Sequence, residues 1–110
     1  MDEADLRRLN DAGTETAARA GQVLIERGQT GSGLYVILDG SVVVEAPEGT
    51  RELGAGAVIG ERALLSPDGT RTARVRAITD VRLLAVERVA FDRLCADDAG
   101  LAGRIQEAAS

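Results

Sequence analysis

No apolar run in this sequence exceeds five residues, and glycine lies close to most of them. The longest is Leu34-Tyr35-Val36-Ile37-Leu38, which has the length of a strand. It falls far short of the roughly twenty apolar residues that cross a membrane as a helix. A chain cut this short favours strands and turns over long helices. Val23-Leu24-Ile25 is followed by Gly28, Gly31 and Gly33. Next come Leu34–Leu38 and Ser41–Ala46, joined by Asp39-Gly40, a two-residue hairpin signal. Pro47-Glu48-Gly49-Thr50 predicts a second turn into Arg51–Leu53, and Gly54, Gly56 and Gly60 surround Ala57-Val58-Ile59. Beyond Ser66-Pro67-Asp68-Gly69 the strand pattern resumes at Thr72–Ile78, turns at Thr79-Asp80 and continues over Val81–Val86.

Seven or eight short strands at this spacing predict a sandwich or barrel. Both ends have a different period. Leu6 and Leu9 lie three apart behind Asp2, Glu3 and Asp5, and Gly13 ends that helical signal. From Glu87 onward, Phe91, Leu94 and Cys95 fall at helical spacing, as do Leu101, Ile105 and Ala108. The expectation is a mainly β chain with flanking helices. Its β-roll spans about residues 14–86 and its C-terminal helices about 87–109.

At 110 residues the chain has the size of one domain, residues 1–110, able to bury about two thirds of its unfolded surface. All 13 basic residues are arginine, against 18 Asp and Glu, for a net charge of −5. With no histidine, a Ser-His-Asp or Cys-His nucleophile and an imidazole metal site are impossible. A net acidic chain is also a poor overall binder of nucleic acid or anionic membrane. Cys95 is the single cysteine and cannot form an internal disulfide. Together with the charged start at Met1–Asn10, this predicts a cytoplasmic module with no enzymatic activity, metal or cofactor, touching neither membrane nor nucleic acid directly.

Residues 54–77 are the chemically informative stretch. Read as a strand of period two, Arg74, Arg76 and Ile78 share a face with Thr72, while Arg71 shares the other with Ala73, Val75 and Ala77. Arg71 therefore heads for the interior at the strand's mouth. A guanidinium stays charged there and demands an anion. That anion is either an internal carboxylate, Glu61 among the choices, or a ligand. Gly60-Glu61-Arg62-Ala63-Leu64 forms a glycine-led turn whose N–H groups can hold a phosphate. A carboxylate repels phosphate, so Glu61 fits such a site by accepting hydrogen bonds from sugar hydroxyls. Residues 59–77 also carry Arg62, Arg71, Arg74 and Arg76 against Glu61 and Asp68, a local charge of +2.

Ile59-Gly60-Glu61-Arg62-Ala63-Leu64 followed by Arg71-Thr72-Ala73-Arg74-Val75-Arg76-Ala77 resembles the phosphate-binding cassette of cyclic nucleotide-binding domains. Leu24-Ile25-Glu26-Arg27-Gly28-Gln29-Thr30-Gly31, Leu34–Ile37 and Gly40 resemble the family's other hallmark. The family includes bacterial catabolite activator proteins and the regulatory domains of cyclic-nucleotide-dependent kinases and channels. The resemblance covers about residues 5–108. It implies a double-stranded β-helix, or jelly-roll barrel, that binds cAMP or cGMP. Arg71 would pair with the cyclic phosphate and Glu61 with the ribose 2′-hydroxyl. The backbone at Gly60, Glu61, Ala63 and Leu64 would donate N–H groups. Thr72 would complete the phosphate shell with its hydroxyl, and Ala73 by being small. Thr72 tilts weakly toward cGMP in some relatives and not in others.

The sequence departs from the family pattern at Arg62, usually an apolar position, which here points to solvent or covers the phosphate. The helix beginning near Ala99 reaches only Ser110, about three turns, where the family's base-capping helix is longer. No DNA-reading, kinase or channel segment follows within the sequence. The expectation is a regulatory domain relaying occupancy through its C-terminal helices to a protein partner or a second copy of itself. Its main alternative is a β-roll that has lost the ligand and serves in protein–protein interaction or dimerisation. A histidine-rich metalloenzyme on a similar roll fails on composition, and a DNA-binding regulator fails for lack of a reader helix.

Overall fold

The computed structural model describes residues 2–28, 33–60 and 73–108. After helix α1 (Glu3–Ala12) come strands β1 (Thr14–Ala18), β2 (Val23–Ile25), β3 (Gly33–Asp39) and β4 (Val42–Ala46). Then follow β5 (Gly49–Leu53), β6 (Val58–Ile59), β7 (Arg74–Ala77) and β8 (Val81–Glu87), and last helices α2 (Arg88–Asp97) and α3 (Leu101–Ala108). The strands form two antiparallel sheets, ordered β1-β8-β3-β6 and β2-β7-β4-β5. The pairing is nested: β4 with β5, β3 with β6, β2 with β7 and β1 with β8. A long hairpin rolled up on itself gives this pattern, and it is the jelly roll expected.

The apolar run Leu34–Leu38 is continuous because both faces of β3 are covered. Leu34 and Val36 join Val58, Leu84 and Val86 beneath the helices, where Leu9, Phe91, Leu101 and Ile105 complete one core. Ile37, with Tyr35 packed beside it, faces between the sheets and meets Ile25, Val42, Val44, Val75 and Leu83. β8 splits the same way, with Leu84 and Val86 toward the helices and Val81 and Leu83 toward the opposite sheet. Phe91 pins the C-terminal helices to the roll, the ring being 5% exposed.

One local expectation is corrected. Asp39-Gly40 does not close a hairpin, because β3 and β4 lie in different sheets. Gly40 adopts φ +92° and turns the chain from one sheet to the other. The corner closes onto Thr79-Asp80: the Ser41 amide donates to Thr79 Oγ1 at 3.1 Å, and a Cβ on Gly40 would stand 2.4 Å from the Asp80 carbonyl oxygen. The true tight hairpin is at Pro47-Glu48, where Ala46 faces Gly49. β1 is a strand that periodicity does not reveal, since Thr14-Glu15-Thr16-Ala17 is exposed and only Ala18 is buried. It forms an edge by pairing Thr14–Ala18 with Val81–Ala85. The strand expected over Thr72–Ile78 is regular over Arg74–Ala77.

Candidate functional site

Each strand runs between two ends of the roll. At one end lie the Gly40 and Thr79 corners. At the other lie the Pro47-Glu48 hairpin, the end of β2, the end of β6 and the start of β7. Residues 61–72, whose structure lies outside the described residues, connect the last two. β6 belongs to one sheet and β7 to the other, so this segment's two described flanks stand beside opposite sheets at this mouth. Its entry is set by Gly60, with φ +85°, a backbone conformation suited to glycine. Its exit is Ala73, half-buried against the core between the sheets. Of the eight site residues read from the sequence, Gly60 and Ala73 are described and sit at the two lips. Glu61, Arg62, Ala63, Leu64, Arg71 and Thr72 lie outside the described residues.

The alternation read over β7 is present where it is described. Val75 and Ala77 are buried at 3% and 1% while Arg74 and Arg76 are exposed. The outward arginines have partners on β4 and just beyond the end of β2. Arg74 Nε donates to Glu26 Oε1 at 2.9 Å, and the Glu26 carboxylate raises its already high pKa further. Arg76 Nε lies 3.5 Å from Glu45 Oε1. Two of the four arginines of the basic island are thus occupied on the outer face, and with them much of the island's surplus charge. Ala73 lies on the inward side with Val75 and Ala77, the face that parity assigns to Arg71.

The mouth is lined inside by Ile25, Tyr35, Val44, Ile59 and Val75, with Leu24 packed beside them. Tyr35 pairs with Ile59 one residue before Gly60, and its ring packs against the inter-sheet core as expected of an amphipathic side chain. The register adds a residue that pattern reasoning misses. Arg51 on β5 stands directly opposite Val44, and opposite residues of an antiparallel pair share a face. Val44 is 8% exposed and turned inward, so Arg51 is an exposed cation on the concave side, at the edge of the same sheet. Because β5 is an edge strand with four of its five residues exposed, no buried face marks Arg51 in the sequence.

Among the described residues no group of three His, Cys, Asp or Glu side chains could hold a metal ion. No described helix is long and apolar enough to cross a membrane. Cys95 is half-buried beside the helix-covered core, and burial, with Asp92 and Asp98 nearby, pushes its thiol above the usual range. A shallow groove at Ala18, Arg19, Gln22 and Asp80 lies at the corner end, away from the mouth.

The described strands form an eight-stranded jelly roll with helices against one sheet. The chain belongs to the cyclic nucleotide-binding domain family, whose sequence profile matches residues 15–98. It is 39% identical over 90 residues to a cyclic nucleotide-gated potassium channel of Rhizobium etli, covering 82% of this chain and 25% of the channel. It is 41% identical over 81 residues to a cGMP-dependent protein kinase of Caenorhabditis briggsae, covering 73% of this chain and 11% of the kinase. A solved structure associated with a cyclic-GMP-dependent signalling pathway that regulates bacterial phytopathogenesis superposes with a TM-score of 0.86 at 28% identity. It covers 97% of this chain and 89% of that one. The chain spans about a quarter of the channel's length and about a tenth of the kinase's.

Proposed function

We propose that residues 1–110 act as one regulatory, non-catalytic domain that binds a 3′,5′-cyclic nucleotide monophosphate, cAMP or cGMP, in the mouth of the roll. The observation that supports this best is the anchoring of the cassette. Gly60 and Ala73, its two described ends, stand beside opposite sheets at one mouth, and the reading puts the ligand between them. In this reading Arg71 neutralises the cyclic phosphate, and Glu61 accepts from the ribose 2′-hydroxyl. Backbone N–H groups at Gly60, Glu61, Ala63 and Leu64 surround the ligand, and Thr72 and Ala73 close the phosphate shell. Arg51 contributes a second inward cation from β5.

Occupancy reaches the helices through β6. Val58 shares its core with Leu101 and Ile105 of α3 and lies two residues before Gly60. Drawing the cassette toward a ligand therefore bears on the seat of α3, and the equilibrium between seated and displaced α3 shifts. The output is a protein partner or a second copy of the chain, with the domain itself in the cytoplasm.

Thermal unfolding with cAMP, cGMP, 5′-AMP and 5′-GMP tests the reading. A ligand at one hundred times its Kd stabilises by about 2.7 kcal/mol, which for a domain of this size raises Tm by roughly ten degrees. The cyclic nucleotides should produce the shift and the 5′-monophosphates should not. Charge-assisted hydrogen bonds contribute about 1.5–3 kcal/mol each, so Arg71→Ala should weaken binding at least about tenfold. Arg74→Ala, on the outer face, should leave it nearly intact. No shift with either cyclic nucleotide at millimolar concentration refutes the sensor reading and leaves the ligand-free interaction module.

A further inference from the structure

Four charged side chains form a closed ring outside the roll. Asp5 of α1 receives two hydrogen bonds from Arg104 of α3, Nε to Oδ2 at 2.8 Å and Nη2 to Oδ1 at 3.0 Å. Arg104 Nη2 also donates to Asp98, the C-cap of α2. Arg8, one turn along α1, bonds Asp5 and stands 3.0 Å from Asp98. Two cations and two anions balance, and they join three elements from opposite ends of the chain. Asp98 also shapes the turn into α3, accepting from the Gly100 amide at 3.1 Å. A Cβ on Gly100 would meet Arg104 Nη1 at 2.8 Å, so the turn leaves room for the guanidinium to lie over it.

The seat of α3 is otherwise narrow. The helix has eight residues, too few to persist alone in water. It reaches full burial only at Leu101 and Ile105 among its described side chains. The two guanidinium side chains that hold it are 36% and 39% exposed. They can therefore let go into water, whereas the Asp5 carboxylate they release has no exposed surface while α3 stays seated.

We propose that the Asp5–Arg8–Asp98–Arg104 ring is a latch that locks α3 to α1 and sets how often α3 leaves the roll. With the latch closed, α1, the α2–α3 turn and α3 behave as one body. With it open, α3 rests on two apolar side chains and undocks. α3 also packs against β6, the strand that leads to Gly60, so the latch and the nucleotide site bear on the same helix from opposite sides. Only that last consequence rests on the nucleotide reading.

Amide hydrogen exchange without nucleotide tests the latch separately from binding. In Arg104→Gln and in Asp5→Asn, amides of both α1 and α3 should exchange at least tenfold faster, while those of β3 and β8 keep the wild-type rate. The decisive feature is action at a distance, a change in α1 loosening α3 and the reverse. In the wild-type chain, raising sodium chloride from about 0.05 M to about 1 M screens half-exposed charges, and it should accelerate the same two helices selectively. This arm needs no variant to fold. Helices that hold their rate, helices that loosen singly, or a loosening shared equally by β3 and β8 would each overturn the latch.

Discussion

Asp5 has no exposed surface, yet its carboxyl is held well below the usual carboxylate range. The hydrogen bonds from Arg104 are the largest cause. Burial opposes them, and Arg8 and the Asp2 amide add to the lowering. Asp98 is lowered too, first by Arg104 and then by Arg8. The unfolded chain takes up these protons near pH 4, whereas the folded chain resists them. In that window the unfolded state binds more protons, so stability rises with pH. The contribution is complete above the unfolded pKa and is lost as pH falls toward the folded one. Denaturant unfolding of wild type and Asp5→Asn should therefore show a wild-type advantage at pH 7 that shrinks steadily from pH 4 to pH 2. An advantage independent of pH would mean that Asp5 acts by shape alone. In the sequence, Asp2, Glu3 and Asp5 read together as acidic residues complementing a helix N-terminus. Asp2 does cap α1, accepting from the Asp5 amide at 2.9 Å. Asp5 differs because its partner lies 99 residues away, a separation that no local pattern encodes.

At the scale of elements, α2 fastens the helices to the roll through Phe91, which packs in one cluster with Leu34, Val36, Leu84 and Val86. Removing so large a buried side chain costs about 3–5 kcal/mol. Phe91→Ala should show that loss in urea unfolding, with the midpoint lowered and the slope nearly unchanged. A loss below about 1 kcal/mol would mean that α2 repacks around the gap. Elements buried on two sides were the readable ones. β3 and β8 announce themselves as apolar runs because helices cover one face and the opposing sheet covers the other. β1 stays hidden because edge pairing asks only for backbone hydrogen bonds, which Thr14–Ala18 supplies with almost no buried side chain. Asp39-Gly40 misleads because a tight turn with glycine at positive φ serves a corner as well as a hairpin. The choice between them is made by Thr79 and Asp80, about forty residues later. The resemblance over residues 59–77 rests on neighbours in the sequence and is legible there. Arg51 was not, since only the register of β5 on β4 brings it to the mouth.

For the whole molecule, the net charge of −5 is less informative than its distribution. Arg74, Arg76 and Arg82 sit across strands from Glu26, Glu45 and Glu15 on outer faces, where exposed pairs contribute little to stability. Arg8 and Arg104 are held in the ring. The register of β5 on β4 leaves Arg51 on the inward face at the mouth, within the sequence profile of the cyclic nucleotide-binding domain family.

The contact between α1 and α3 also has a meaning for how the gene could be cut and rejoined. Residues 5 and 104 touch, so the two ends of the described chain leave from one side of the molecule, and a short flexible linker could span them. The nested strand order then has no privileged starting point, and new termini could be opened at Pro47-Glu48, the two-residue connection of β4 and β5. Such a circular permutant should keep the circular dichroism of the parent and its cooperative melt. Failure to fold would show that the hairpin at Pro47-Glu48, where the roll begins to curl, has to form before the outer pairs can close around it.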